Sequence, residues 1–206
     1  MAERADLKSK EFQHKIELKL IYKIIPIIKV TENIYRTEFF WRYNWANKKI
    51  NDLEVLEIPC GLGWGTRLLR SAKRVYAIDI DFPSVLKASK IIRKRNKKFF
   101  VGDMCFLPFP DGNVDAICCL EGIEHINKES GQKFIDECYR VLKPKGKLLI
   151  SSPFDIRGTH SGNPYHLHEY QPGELEILFG NRFNINELVP RHLDNLVIQY
   201  FMCSKN

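Results

Sequence analysis

The 206-residue sequence has no Cys-x-x-Cys pair, no regular spacing among its six cysteines, and no apolar run long enough to span a bilayer. The missing cysteine patterns exclude a zinc finger and a disulfide scaffold. The adjacent Cys118 and Cys119, inside an apolar run, read instead as packing in a reducing compartment. The greasiest stretch, 18–30, is broken by Lys19, Lys23, Pro26 and Lys29, so no transmembrane segment is expected. Residues 1–17 are charged throughout and lack the apolar stretch of a secretion signal, which predicts a cytoplasmic chain. Twelve glycines and ten prolines are too few for a collagen-like or low-complexity architecture, and no internal repeat is visible. What is present is a 44% hydrophobic composition with 13 Phe, 8 Tyr and 3 Trp, enough to build the core of one α/β domain but not of two.

The net charge of +7 is unevenly spread. Residues 1–100 carry 22 Lys/Arg against 11 Asp/Glu, whereas residues 101–206 carry 10 against 14. Residues 5–30 predict a basic amphipathic helix, with Ile16, Leu20, Ile24 and Ile27 on one stripe and Lys15, Lys19 and Lys23 four apart, kinked or ended by Pro26. Two roles stay open for it: contact with a membrane surface or substrate cleft, or a solvated lysine face. A second helix over 34–49 carries Phe39, Phe40, Trp41, Tyr43 and Trp45, enough aromatic area to dock on a core. Residues 1–50 thus read as an N-terminal helical extension or cap, and 51–206 as the main domain.

From residue 53 short apolar runs alternate with helical patterns. Strands are expected over 55–58, 75–80, 99–101, 114–120 and 147–152, and helices over 65–71, 84–95 and 132–142. Doubly buried strands alternating with helices predict a parallel sheet covered on both faces. In the tail, a helix over 173–179 precedes two strands, 183–188 and 196–202, with no helix between them, which predicts an antiparallel pair at one sheet edge.

The sharpest local signal is Glu57-Ile-Pro-Cys-Gly61-Leu-Gly63-Trp-Gly65, a strand running into a glycine turn and then a helix. Its GxGxG spacing differs from the GxGxxG that seats a dinucleotide pyrophosphate, and no Gly-Lys-Ser/Thr follows to make a P-loop. A carboxylate at Glu57 would repel phosphate and suits a ligand positively charged near the turn. Asp79 ends the second strand, 18 positions after Gly61, where a ribose diol can be held; Asp103, after the third, can accept from an exocyclic amine. Three acids at successive strand ends beside a glycine turn describe an adenosine ligand with a cationic tail.

Together with Leu107-Pro-Phe-Pro-Asp-Gly112, Val114-Asp115 and Val141-Leu-Lys-Pro-Lys-Gly146, these motifs resemble the class I S-adenosylmethionine-dependent methyltransferases over roughly residues 40–190, and most closely their small-molecule and glycan-type branch. The resemblance implies an α/β, Rossmann-like fold: a seven-stranded mostly parallel sheet with helices on both faces and a C-terminal antiparallel strand pair, plus the N-terminal helices. It implies that Glu57, Gly61, Gly63 and Gly65 hold the methionine end of S-adenosylmethionine, Asp79 its ribose hydroxyls, Ile80 and Met104 the adenine faces, and Asp103 the adenine amine. Leu120 and Arg42 join the cofactor candidates. For Arg42, a salt bridge to the cofactor carboxylate and a solvated helix position both stand. Pro59 occupies a position where the family commonly has Gly or Ala.

After the fourth strand comes Glu121-Gly-Ile-Glu124-His125. On a helical turn, Glu121, Glu124 and His125 would share a face at i, i+3 and i+4, bordering the ligand crevice. Either His125 or Glu121 is a general base for an acceptor hydroxyl, or the group binds Mg²⁺ or Mn²⁺, or the histidine is structural. This ExxEH pattern resembles metal-dependent O-methyltransferases, of quinone-precursor hydroxyls and of small-RNA 3′ ends, which implies a further ligand downstream, His166. The polar stretch 151–170, with His160, His166 and His168, is expected as a lid over the crevice, where extended chain would point His166 and His168 to one side. Resemblance of the 42–46 and 163–170 segments to enzymes encoded with glycan-assembly machinery implies a sugar or other small-molecule acceptor. RNA is disfavoured. Residues 101–170 carry 7 basic and 10 acidic side chains, and the run Arg93-Lys94-Arg95-Asn96-Lys97-Lys98 falls at the sheet edge opposite the crevice. A catalytically silent cofactor-binding partner subunit is the remaining alternative, and the sequence sets no oligomeric state.

Overall fold

Neighbouring residues of a strand point to opposite faces of a sheet. Val55 and Leu56, Ala77 and Ile78, Ala116 and Ile117, and Leu149 and Ile150 accordingly divide between two apolar cores. Cys118 and Cys119 split the same way, and all six cysteines are buried as free thiols. The computed structural model describes residues 34–206, so the basic helix expected over 5–30 lies outside the described residues.

The elements are α1 (Ile34–Asn47), β1 (Glu54–Glu57), α2 (Trp64–Leu68), β2 (Arg74–Asp79), α3 (Phe82–Ile91), β3 (Lys97–Val101), β4 (Val114–Leu120), α4 (Lys128–Val141), β5 (Leu142–Asp155), α5 (Glu174–Phe179), β6 (Phe183–Leu193) and β7 (Leu196–Lys205). Short 3₁₀ turns cover Ile123–His125 and Gly180–Arg182. The strands form one sheet in the order β3-β2-β1-β4-β5-β7-β6, parallel from β3 to β5, with β7 antiparallel to both β5 and β6. The seven-stranded mixed sheet with its antiparallel tail pair is the fold expected from the sequence.

One face is covered by α4 and α5 through Phe134, Ile135, Cys138, Leu175, Leu178 and Phe179. The other is covered by α1, α2 and α3 through Tyr43, Trp45, Leu68 and Val85. α3 starts where it does because the Asp81 side chain accepts from Ser84 N and Pro83 occupies the first turn. α1 is pinned to the sheet by a buried charge: Glu38 accepts from the Tyr200 hydroxyl at 2.9 Å and from Arg191 Nε at 3.1 Å. Arg191 also lies 4.5 Å over the Trp41 ring, and Trp41 and Trp45 both pack on Tyr200. Glu38 is fully buried and held by both partners, so these contacts make α1 part of the folded unit.

β5 is longer than the expected 147–152. It begins at Leu142 and absorbs a register irregularity opposite Val114 and Ala116, with Lys145 at φ 63°. Among the described residues, no helix is long and apolar enough to cross a membrane.

Candidate active site

The carboxyl ends of the parallel strands bring Glu57, Asp79, Asp103 and Glu121 to one edge of the sheet, with the glycine turn between β1 and α2. Gly61 has φ +50° and a Cβ there would meet nothing within 4 Å, so the turn needs glycine for its backbone and faces open space. Asp79 fixes this turn. Its Oδ2 accepts from Gly61 N at 2.7 Å and its Oδ1 from Asp81 N at 2.9 Å. Each carboxylate oxygen keeps a second acceptor position, which leaves capacity for a ligand diol. Gly65 is constrained differently: a Cβ would collide with the Tyr43 hydroxyl, so α1 and α2 can approach only over a glycine.

Beyond β3, Asp103 folds its own turn, with Oδ1 accepting from Cys105 N at 2.8 Å. Met104 and Leu120 are buried, while Ile80 is 64% and Phe106 73% exposed. Ile80 directly follows Asp79, and Phe106 N donates to the Asp103 carbonyl at 3.1 Å, so an exposed apolar side chain lies next in the chain or turn to each acid. Phe106 is a residue that sequence reasoning missed; it sits in a turn with no periodic signal.

Glu57 is buried, and among the described residues neither of its oxygens has a hydrogen bond of good geometry. Burial pushes its carboxyl up to about 7, against the pull of the nearby Thr66 and Tyr43 hydroxyls and of Lys97. Lys97 is itself lowered to about 8 by burial, and its Nζ donates to the Leu69 carbonyl. Here the structure departs from the expectation for the 93–98 run, because its fifth residue turns inward as the first residue of β3. A buried carboxylate without a strong partner, beside a turn facing open space, suits a ligand ammonium.

Arg42 is not a solvated helix residue, since its Nε is shielded from solvent. Burial alone would lower its guanidinium, but Glu121, with Tyr200, Tyr43 and Glu38, raises it instead. Glu121 lies apart from the other acid and histidine of its motif. It sits at φ +61°, upstream of the 3₁₀ turn Ile123–His125, and its Oε1 accepts from Ser151 Oγ at 2.8 Å while its N–H donates back to Ser151 Oγ at 2.9 Å. The shared helical face expected for Glu121, Glu124 and His125 is therefore absent. The left-handed residue and Gly122 at φ −148° break the helical period, and a Cβ on Gly122 would collide with Pro59.

Glu124, His125 and His166 do converge, each offering a ligand atom within 4.8 Å of the others. The lid brings His166 there: Leu167 N and His168 N donate to the Glu124 carbonyl at 2.7 and 3.2 Å. His125 Nδ1 lies 3.0 Å from the Tyr165 carbonyl, which can only accept, so Nδ1 carries the proton and Nε2 is the acceptor nitrogen. His166 and His168 do not point to one side. His166 Nδ1 meets Glu169 at 2.6 Å, whereas His168 Nε2 meets Glu174 at 3.2 Å, because 163–168 is a turn and not extended chain. Burial would raise Glu169, but its bonds to Ser161 and His166 outweigh it and lower the carboxyl. The contacts of Ser161 and Glu169 were not legible in the sequence, since their proximity arises only when the 151–170 segment folds back on itself.

Residues 56–150 match the family model described as a methyltransferase domain. A Mycolicibacterium smegmatis protein named "Probable S-adenosylmethionine-dependent methyltransferase" is 33% identical over 142 residues, covering 65% of this chain and 53% of the relative. The phosphoethanolamine N-methyltransferase of Plasmodium falciparum is 34% identical over 116 residues, 52% of this chain and 44% of that protein. The chain thus spans about half the length of the curated relatives it matches. The crystal structure of the YcgJ protein from Bacillus subtilis superposes with a TM-score of 0.70 at 18% identity, covering 81% of this chain and 98% of that one, and shares the fold.

Proposed function

We propose that the chain is a class I S-adenosylmethionine-dependent O-methyltransferase acting on a hydroxyl of a sugar or other small-molecule acceptor, a reading supported by the methyltransferase-domain match over residues 56–150. The observation that carries the proposal is the convergence of Glu124, His125 and His166 beside the carboxyl end of β4. S-adenosylmethionine, when bound, supplies a methyl group on a sulfonium, a leaving group that needs no acid. What the protein must supply is alignment and removal of the hydroxyl proton.

The residues fit that cofactor. Glu57 offers a buried carboxylate, only weakly opposed by its neighbours, to the methionine ammonium, Arg42 a half-buried cation to its carboxylate, and Gly61 a turn that a ligand can approach, while Gly63 lets the turn pack on Ile92 and Ala88. Gly65 admits Tyr43 beside them. Asp79 would hold the ribose hydroxyls, Asp103 the adenine amine, and Ile80, Met104 and Leu120 its faces. At the acceptor end, His125 Nε2 takes the hydroxyl proton and the Glu124 carboxylate stabilises the resulting imidazolium. Glu121, tied to Ser151 and opposed by Arg42, orients the acceptor.

A second version uses the same three groups to hold a divalent cation that lowers the pKa of the hydroxyl. One carboxylate with two imidazoles suits Mn²⁺ better than Mg²⁺, which prefers an all-oxygen shell. The polar lid supports a hydroxyl-rich acceptor, and the 7 basic against 10 acidic residues of 101–170 oppose RNA.

The test is transfer of labelled methyl from S-adenosylmethionine to three pools: nucleotide sugars, oligosaccharides and total RNA. Label in the saccharide pools is expected. Label confined to RNA overturns the acceptor assignment, and no transfer to any pool favours a silent partner subunit. Loss of activity in chelator with rescue by Mn²⁺ selects the metal version, and indifference to chelator removes it.

A further inference from the structure

Arg140, in the last turn of α4, has all five of its guanidinium N–H groups engaged. Nε donates to Glu137 Oε1 at 2.7 Å and Nη2 to Glu137 Oε2 at 2.8 Å, a two-pronged pair between residues three apart on one helix. The other donors leave the helix. Nη2 reaches the Leu107 carbonyl at 3.0 Å, and Nη1 reaches the Phe109 carbonyl at 2.8 Å and Asp111 Oδ1 at 2.9 Å. Glu137 returns the contact, because its Oε2 accepts from Leu107 N at 2.7 Å. One ion pair thus holds both backbone polar groups of the buried Leu107. A lysine, with three donors on a single atom, could not hold the carboxylate and both carbonyls together.

What this pair grips is the stretch that follows the turn carrying Asp103 and Phe106. Within the turn, Phe106 N donates to the Asp103 carbonyl at 3.1 Å and Cys105 N to Asp103 Oδ1 at 2.8 Å. The second bond takes one of about four acceptor positions on the carboxylate, which leaves capacity for an amine. These bonds fix the inner shape of the turn but not where it stands, since no helix or strand covers 102–113. α4 supplies the anchor. Besides the contacts of Glu137 and Arg140, Cys105 Sγ donates to the Ser130 carbonyl at 3.6 Å and Gly112 N to the Arg140 carbonyl at 2.9 Å. For α4 itself the ion pair does little, because a half-exposed pair within one helix contributes weakly to stability.

We propose that Arg140 and Glu137 are positioning residues for the adenine end of the cofactor, holding the 103–112 loop on α4 so that the Asp103 carboxylate stands where the adenine amine arrives. The inference rests on reading Asp103 as the acceptor of that amine. With every donor engaged, Arg140 has none for a ligand and acts through the loop alone.

The test is calorimetric titration of the full chain with S-adenosylhomocysteine and with its inosine counterpart, in which a carbonyl oxygen replaces the adenine amine. Wild type should prefer the adenine form about 10- to 100-fold, the usual effect of a hydrogen bond to a charged acceptor. Arg140→Lys should lose most of that preference by weakening the adenine form and leaving the inosine form nearly unchanged. A general loss of stability would weaken both ligands alike, so the ratio separates positioning from folding. In an Asp103→Ala background the preference should already be gone, and Arg140→Lys should remove nothing more. Lys133→Ala, which breaks only the exposed pair with Glu129 on the same helix, should leave the ratio at its wild-type value. If Arg140→Lys does not fold, Glu137→Gln carries the test, since its amide must turn a donor toward either Arg140 or Leu107 N.

A ratio unchanged in both Arg140→Lys and Glu137→Gln, or one that Lys133→Ala lowers as far, overturns the positioning role. A further fall in the Asp103→Ala background also overturns it, because the pair would then act elsewhere. A wild type that binds both forms equally removes Asp103 from the adenine and takes this inference with it. An adenine preference that survives in the variants removes the inference alone and leaves the cofactor reading standing.

Discussion

Replacing Glu57 with glutamine should make the ligand-free protein more stable at pH 8 and nearly unchanged at pH 5. The reason is the buried carboxyl, raised from its ordinary 4.5 to about 7 by desolvation. A carboxyl raised in the folded chain binds its proton more tightly there than in the unfolded chain. Its contribution to stability is therefore full below about pH 4.5 and is lost as the pH rises through about 7. The difference corresponds to about 3 kcal/mol, at about 1.4 kcal/mol for each tenfold change in proton affinity. For a domain of this size that is about 6–12 °C in melting temperature. Thermal unfolding of both proteins at pH 5 and pH 8 reads it out. Saturating S-adenosylmethionine at pH 8 should close the gap, because its ammonium compensates ionised Glu57 in the wild type and has no partner in the variant. A gap of the same size at both pH values, or one that the ligand leaves untouched, would show that Glu57 neither carries the buried charge nor meets the cofactor.

Asp79→Ala should weaken cofactor binding by about 3 kcal/mol or more, since it removes two charge-assisted acceptors and frees Gly61 N. An unchanged calorimetric Kd would contradict this. His125→Ala should spare cofactor binding and lower kcat about 10²- to 10⁴-fold; full turnover in that variant would remove both its base and its ligand roles. Gly65→Ala should cost about 1–3 kcal/mol by driving a methyl into the Tyr43 hydroxyl, measurable by urea unfolding, and a stability equal to wild type would show that α1 yields there.

The sheet was legible because its strands are near-continuous apolar runs, and the tail pair because no helical pattern separates 183–188 from 196–202. The glycine turn and the acids at 57, 79 and 103 were legible because each ends or follows a strand. Four features were not. Glu121 leaves the helical period at a left-handed residue that sequence does not announce. Lys97 hides inside a charge run, although it begins a strand and reaches the Leu69 carbonyl at the end of α2. Glu38 meets Tyr200 across 162 residues, and Glu169 meets His166 in a loop with no period, so only the folded chain reveals either pair. Local patterns fix strands and turns; polar networks across loops depend on how those elements pack.

Isothermal titration of the purified chain with S-adenosylmethionine, alongside NADH and ATP, examines the whole arrangement of strand-end acids and glycine turn at once. One site filling at micromolar S-adenosylmethionine, with no heat from the phosphate-bearing nucleotides, is the expected outcome. Silence toward S-adenosylmethionine at millimolar concentration, while NADH or ATP saturates, would mean that Glu57, Asp79 and Asp103 serve a different ligand.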